Sequence, residues 1–180
     1  MKTLERLSNI AVIVTALVVI CSVFVRHGNQ GYTGGHPSSR QLERQLRGGL
    51  ISNRQLLPHG NTFACVLVLS TKCPFCEQNA PLYRELTARR TADNFRLIGV
   101  FPQGQSGATE YLRNREIIPD EVISIPLQDL GVQATPTILL VNHEGRTLAA
   151  WVGALDKGRQ KEVFENLSQF TRDSRREIQQ

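Results

Sequence analysis

The chain has 180 residues, of which 41% are hydrophobic and 21% charged, with 14 Gly, 8 Pro and 4 Cys. That is the composition of one globular domain plus an appendage, and it excludes a disordered, collagen-like or disulfide-stapled chain. The formal charge of +5 is spread along the sequence without a run of five or six like charges, so nothing marks a nucleic-acid-binding arm.

Residues 1–6 read as a short cytoplasmic stub. Leu7–Val25 is an unbroken stretch of uncharged residues, densest over Ile10–Ile20. A helix of that length spans about 28 Å, close to the roughly 30 Å hydrocarbon core of a bilayer. Lys2 and Arg6 precede it, which sets the start of the chain in the cytoplasm and the rest across the membrane. The competing reading, a cleaved signal peptide, wants a shorter apolar run and a pair of small residues before the cut. Here the apolar stretch continues through Val23, Phe24 and Val25 to Arg26, so an uncleaved, single-pass anchor is expected. Residues 26–40, rich in Gly, form a flexible linker that tethers the remaining chain, 41–175, near the outer face of the membrane.

The globular part opens with an amphipathic stretch, Gln41–Arg47, and an expected edge hairpin over Leu50–Pro58. Phe63–Leu69 (FACVLVL) is a continuous apolar run rich in β-branched residues, the pattern of a strand buried on both faces at the centre of a sheet. A helix over Pro74–Arg89, a strand over Phe95–Phe101, a helix near Ala108–Arg115 and a short strand over Val122–Pro126 follow. Strands over Thr137–Asn142 and Thr147–Val152 are joined by the turn residues 143–146 into a hairpin, and a last helix covers Lys157–Thr171. Strands alternating with helices, then a hairpin and a closing helix, predict an α/β sandwich with a mixed sheet. Phe63, Leu82, Leu86, Phe95, Ile98, Ile138, Leu140 and Trp151 are the expected core.

Cys73-Pro74-Phe75-Cys76 lies directly after the buried strand and opens a helix. Two thiols at i and i+3 there can close a small disulfide ring, and the amides and dipole of the helix start favour the Cys73 thiolate, the form that attacks disulfides. Lys72 adds a cation acting in the same direction. Pro74 suits the first helical position, where its missing N–H has no partner to lose. Phe75 is expected to stay exposed between the thiols, and with Pro74 to contact a partner. Zinc would need two further ligands, and the four His form no spaced pair. His143 is expected in a turn, with copper ligation as its alternative. Cys65 reads as a buried small hydrophobe, too far along the strand to pair with Cys73. Glu77, the nearest carboxylate, is expected to sit solvated on the first turn. A second feature, Thr135-Pro136-Thr137, falls at a strand start, 60 residues after Cys76.

Taken together, the strand, the C-P-F-C helix start, the T-P pair before the penultimate strand and the closing hairpin with Gly153 after it resemble the thioredoxin superfamily. Over about Leu50–Phe170, with the extra strand-and-helix segment between Phe95 and Gly131, the chain looks most like its membrane-anchored TlpA/ResA branch, and Ser70–Cys76 is also similar to the MauD-type proteins. The resemblance implies a thioredoxin-like three-layer sandwich with a mixed central sheet and an inserted β-α segment. It implies that Pro136 is cis, that Thr135 and Pro136 bind the substrate chain, and that Pro81 kinks the helix. It further implies an extracytoplasmic thiol–disulfide oxidoreductase of the inner membrane, its domain periplasmic, with Cys73 attacking and Cys76 resolving. No metal or organic cofactor is implied. The expected partners are protein thiol and disulfide clients and, for a reductase, a transmembrane thiol carrier as electron donor. Cytochrome c or metalloprotein maturation is the pathway suggested. The alternatives are an oxidant or isomerase of the same fold, a tethered client-binding module without turnover, and a copper metallochaperone. The sequence departs from the family at three positions: Leu67 and Asn79 stand where relatives carry a carboxylate serving the second thiol, and Lys72 replaces the usual Trp. The base for Cys76 is left unassigned.

Overall fold

In a computed structural model, residues 37–58 and 63–178 are described. The anchor and most of the linker expected from the sequence lie outside them. Among the described residues no helix is long and apolar enough to cross a membrane.

Helix α1 (Ser39–Leu46) is started by Ser38, whose hydroxyl accepts from the Gln41 N–H at 3.3 Å. Strand β1 (Ala64–Val68) is buried at every position. It runs parallel to β2 (Arg96–Val100) on one side and antiparallel to β4 (Thr137–Val141) on the other. Strand β3 (Glu121–Ile123) extends the sheet beyond β2 in parallel, and β5 (Thr147–Val152) pairs antiparallel with β4, giving the order β3-β2-β1-β4-β5. The expected central position of the 63–69 run is therefore correct, and so is the β4–β5 hairpin. Its turn is held by the Asn142 side chain, which accepts from the N–H groups of Glu144 and Arg146 at 3.1 and 2.8 Å.

Alternation along β1 divides the core. Cys65 and Leu67 face a layer of helices: α3 (Ala80–Arg89) supplies Leu82, Tyr83 and Leu86, α4 (Ala108–Arg113) supplies Tyr111 and Leu112, and α5 (Lys157–Ile178) supplies Val163 and Leu167. Ala64, Val66 and Val68 face Ile51, Leu56, Ile125, Leu130 and Val132. That second covering layer consists of 3-10 turns (Arg54–Leu56 and Leu127–Leu130) and irregular chain, with Leu46 at the end of α1 packed against it, so the third layer of the expected sandwich is largely non-helical on this side.

Several boundaries differ from expectation. Leu50–Pro58 is not a hairpin; Leu50 makes one antiparallel bridge to Arg146, after which Asn53 caps the first 3-10 turn. The 122–126 strand begins one residue earlier and stops at Ile123. The last helix runs on past Thr171 to Ile178. The Pro74–Arg89 helix is two helices, α2 (Pro74–Gln78) and α3, broken at Asn79 with φ −89° and ψ 0°. Pro81 has no N–H to donate to the Glu77 carbonyl, so the ladder fails there and restarts when the Tyr83 N–H reaches the Asn79 carbonyl at 3.2 Å.

The exposed edge of β5 is covered by α1. Glu43, buried within that helix, accepts the outward N–H of Val152 at 2.9 Å and pairs with Arg159 of α5. A buried carboxylate would be costly alone; here a backbone donor and a guanidinium share its charge.

Candidate active site

The register of the sheet assembles the site. Because β4 runs antiparallel to β1 with Val68 opposite Thr137, the residues before Thr137 lie beside the loop that leaves β1. That loop is Leu69–Lys72, and Cys73 follows as the N-cap of α2 with Pro74 at its first position. Two segments 62 residues apart thus meet: the Cys73 Sγ lies 3.3 Å from the Thr135 carbonyl oxygen. The Thr135–Pro136 peptide is cis, in agreement with the sequence expectation. On the far side of β4, Thr137 pairs with Val152, which brings Gly153 opposite Pro136, and the Gly153 N–H donates to the Pro136 carbonyl at 2.8 Å. Gly153 has φ +89°, a conformation open to glycine at little cost.

The two thiols stand in different surroundings. Cys73 is partly exposed, whereas Cys76 is fully buried, and both are free, as is Cys65. Burial pushes the Cys73 thiol up, but contacts with the side chains of Cys76 and Thr135 and with the N–H groups of Cys76 and Phe75 outweigh it, and the net shift is downward. The Cys76 N–H to Cys73 Sγ bond, at 3.3 Å, is one of these. The S–H donated to the Thr135 carbonyl favours the protonated form and is given up when Cys73 ionises. Cys76 goes the other way, to about 12, first because burial penalises its thiolate and then because the Cys73 sulfur adjoins it. One thiol is accessible and favoured as its thiolate, and the other is held protonated behind it. Cys65, in the middle of β1, is also pushed up by burial.

Phe75 is 53% exposed beside the thiols and Pro74 is exposed, while Pro136 is buried and Thr135 half-buried. Lys72 is exposed and lines an open groove with Thr71, Cys73, Pro74, Glu77 and Arg115. Glu77 is not simply solvated: Arg115 forks onto it, with Nε to Oε2 at 2.8 Å and Nη2 to Oε1 at 2.5 Å. The same guanidinium lies 3.8 Å over the Tyr111 ring. His143 is exposed in the β4–β5 turn. Among the described residues no three His, Cys, Asp or Glu side chains converge as metal donors.

Asn79 has a role the sequence did not disclose. It is 1% exposed; its Nδ2 donates to the Gly153 carbonyl at 3.0 Å and its Oδ1 accepts from the Leu155 N–H at 2.9 Å. The side chain at the break between α2 and α3 therefore fastens the dithiol helix to the segment that holds Pro136. A buried Asn matches one donor and one acceptor at once, which a carboxylate cannot do.

A central mixed sheet with a dithiol at the C-terminal end of its middle strand, facing a cis-proline at the start of the antiparallel neighbour, defines a thioredoxin-like fold. Residues 54–168 match the thioredoxin-like domain family, and the chain belongs to it. No curated protein sequence matches the chain. Among solved structures, a Chlorobium tepidum protein assigned as the thiol:disulfide interchange protein DsbE is 18% identical, with 62% of this chain and 81% of that one covered at a TM-score of 0.52. A thiol:disulfide interchange protein from Bacteroides sp. is 15% identical (62% and 74% covered, TM-score 0.51). A secreted thiol-disulfide isomerase from Corynebacterium glutamicum is 12% identical (62% and 71% covered, TM-score 0.51). At these identities the likeness is one of fold.

Proposed function

We propose that this chain is a thiol–disulfide oxidoreductase acting on protein clients through Cys73 and Cys76. One observation carries the reading: an accessible thiol with a lowered pKa, a buried thiol three residues on, and the Thr135 carbonyl beside the first sulfur. The Cys73 thiolate attacks one sulfur of a client disulfide; a Cys73–client bond forms and one client thiolate leaves. Cys76 then loses its proton and attacks the Cys73 sulfur, closing the Cys73–Cys76 disulfide as the second client thiolate leaves. Two protein thiols are oxidised and one client disulfide is reduced, with the two protons passing to the client sulfurs. The Thr135–Pro136 backbone and the exposed Phe75 and Pro74 hold the client chain. No metal or organic cofactor takes part, and a partner dithiol must reduce the enzyme again.

The apolar run Leu7–Val25 supports a membrane anchor with the domain on the periplasmic side, so the electron donor for a reductase is a transmembrane thiol carrier. The resemblance to the TlpA/ResA branch supports reduction of client disulfides in cytochrome c or metalloprotein maturation. A second reading, as an oxidant or isomerase, is favoured by the lowered Cys73 pKa, since whatever stabilises the thiolate stabilises the reduced form and raises the potential. The test is trapping in cells: Cys76→Ser accumulates mixed disulfides with clients, and Cys73→Ser forms none. A Cys73→Ser strain that keeps full function contradicts the enzymatic reading and supports a client-binding module. Tight Cu(I) binding dependent on both thiols supports a metallochaperone instead.

A further inference from the structure

The contacts proposed above for the client, with the Thr135–Pro136 backbone and Phe75, leave a second space beside Cys73 unused. It is a groove of about 510 Å³, open to solvent, and Cys73 forms part of its wall. Phe75, Thr135 and Pro136 do not line it. The volume falls in the range of about 300–1,000 Å³ typical of sites that take a small ligand, so the groove has room for side chains flanking a client cysteine.

The charges lining the groove do not cancel. Three of its side chains are ionic, Lys72, Glu77 and Arg115. Glu77 and Arg115 neutralise each other through the fork described above, Nε to Oε2 at 2.8 Å and Nη2 to Oε1 at 2.5 Å. The guanidinium is held in place from behind, lying 3.8 Å over the Tyr111 ring and donating from Nη1 to the Tyr111 carbonyl at 3.0 Å. Lys72 is exposed, and its ammonium pairs with no carboxylate among the described residues. One positive charge is therefore left uncompensated in the groove wall next to the reactive sulfur. The Glu77–Arg115 pair also shows that a carboxylate can be held in this groove by two charge-assisted hydrogen bonds. Resting on the oxidoreductase reading, we propose that this groove is a subsite for an acidic side chain beside the client's cysteine, and that Lys72 is the residue that selects it, with Arg115 as the second cation. An Asp or Glu in the groove meets the unpaired ammonium, whereas a Lys or Arg meets two like charges and is rejected. The acidic neighbour takes no part in the bond changes. The Cys73 thiolate attacks the client sulfur, the Cys73–client bond forms, and the other sulfur leaves with the electron pair. The ion pair raises the encounter rate and orients the sulfur for that attack.

The test compares two short peptides that differ only in having Asp or Asn on both sides of one cysteine. Each is carried as its mixed disulfide with thiopyridine, an uncharged leaving group whose release is read by absorbance. The reduced full chain, in a non-ionic detergent and in excess over peptide, is mixed with each, and the rates are divided by those with 2-mercaptoethanol, which removes the peptides' intrinsic difference. The Asp peptide is expected to react about three- to fivefold faster than the Asn peptide, the worth of one exposed ion pair. In about 1 M salt, where the Debye length is about 3 Å, the ratio should fall toward one. Lys72→Glu is expected to bring it below one. Any effect of Lys72 on the Cys73 thiolate is common to both peptides and cancels in the ratio. Glu77→Gln, which releases Arg115, is expected to raise the ratio further. A ratio of one in the unmodified chain, or a ratio that Lys72→Glu leaves unchanged, overturns the inference. Release from both peptides no faster than with a Cys73→Ser chain overturns the oxidoreductase reading on which it rests.

Discussion

Replacing Asn79 by Ala removes the fastening between the dithiol helix and the Gly153 segment while leaving both cysteines in place. Two backbone groups lose their partners, the Gly153 carbonyl and the Leu155 N–H, at a site that is 1% exposed. Each unsatisfied buried group costs about 1–3 kcal/mol. Allowing for partial hydration of the space left by the amide, the expected loss is about 2–4 kcal/mol. The single Trp, Trp151, is buried in β5 two residues before Gly153 and reports unfolding directly. In urea, with a slope of about 1–3 kcal/mol/M, the midpoint should fall by roughly 1–2 M. Gln78→Ala, one residue away and exposed, should stay within about 0.5 kcal/mol of the parent. Asn79→Asp keeps the acceptor for Leu155 but turns an oxygen toward the Gly153 carbonyl. Its carboxyl can donate there only when protonated, so its folded-state pKa is raised. The stability it contributes is complete below the unfolded value of about 3.9 and is lost as pH rises through the folded value. An Asn79→Ala midpoint indistinguishable from the parent, or a Gln78→Ala midpoint displaced as far, would refute the assignment.

Alkylation of Cys73 in the reduced chain should be half-maximal at a lower pH than that of an unperturbed cysteine, because the net of its contacts lowers its pKa. Cys76→Ala, which deletes the side-chain contact but keeps the N–H, should move that profile upward, and iodoacetamide rates across pH measure both. Gly145→Ala should destabilise by more than about 2 kcal/mol in the same urea titration: φ is +83° and a Cβ would lie 2.6 Å from the Ile51 carbonyl oxygen. Gly131→Ala, with φ +66° and open space around it, should cost only the backbone term of about 1 kcal/mol.

What the sequence revealed was local. The apolar run before Cys73, the helix start at Pro74 and the strand after Thr135 are each written in a few neighbouring residues, and the family resemblance joined them before the sheet register did. The residues that hold the site together act over distance. Asn79 reaches Gly153 and Leu155 across more than 70 positions, and Glu77 meets Arg115 across 38. In sequence the first is a missing carboxylate and the second a surface charge. The layer over Val66 and Val68 was hidden for another reason: its short 3-10 turns and irregular chain follow neither the helix nor the strand period.

In the proposed function, Cys73 and Cys76 form one exchangeable disulfide. The direct measurement is equilibration of the full chain in graded glutathione buffers, with the peptide carrying both cysteines weighed after acid quenching. A single two-electron transition is expected, in which that peptide loses two hydrogens while Cys65 stays reduced. A potential near or below about −270 mV marks a reductant, and one nearer about −120 to −180 mV an oxidant or isomerase. A peptide that carries only a glutathione adduct on Cys73, with no internal disulfide at any poise, would rule out the exchangeable pair.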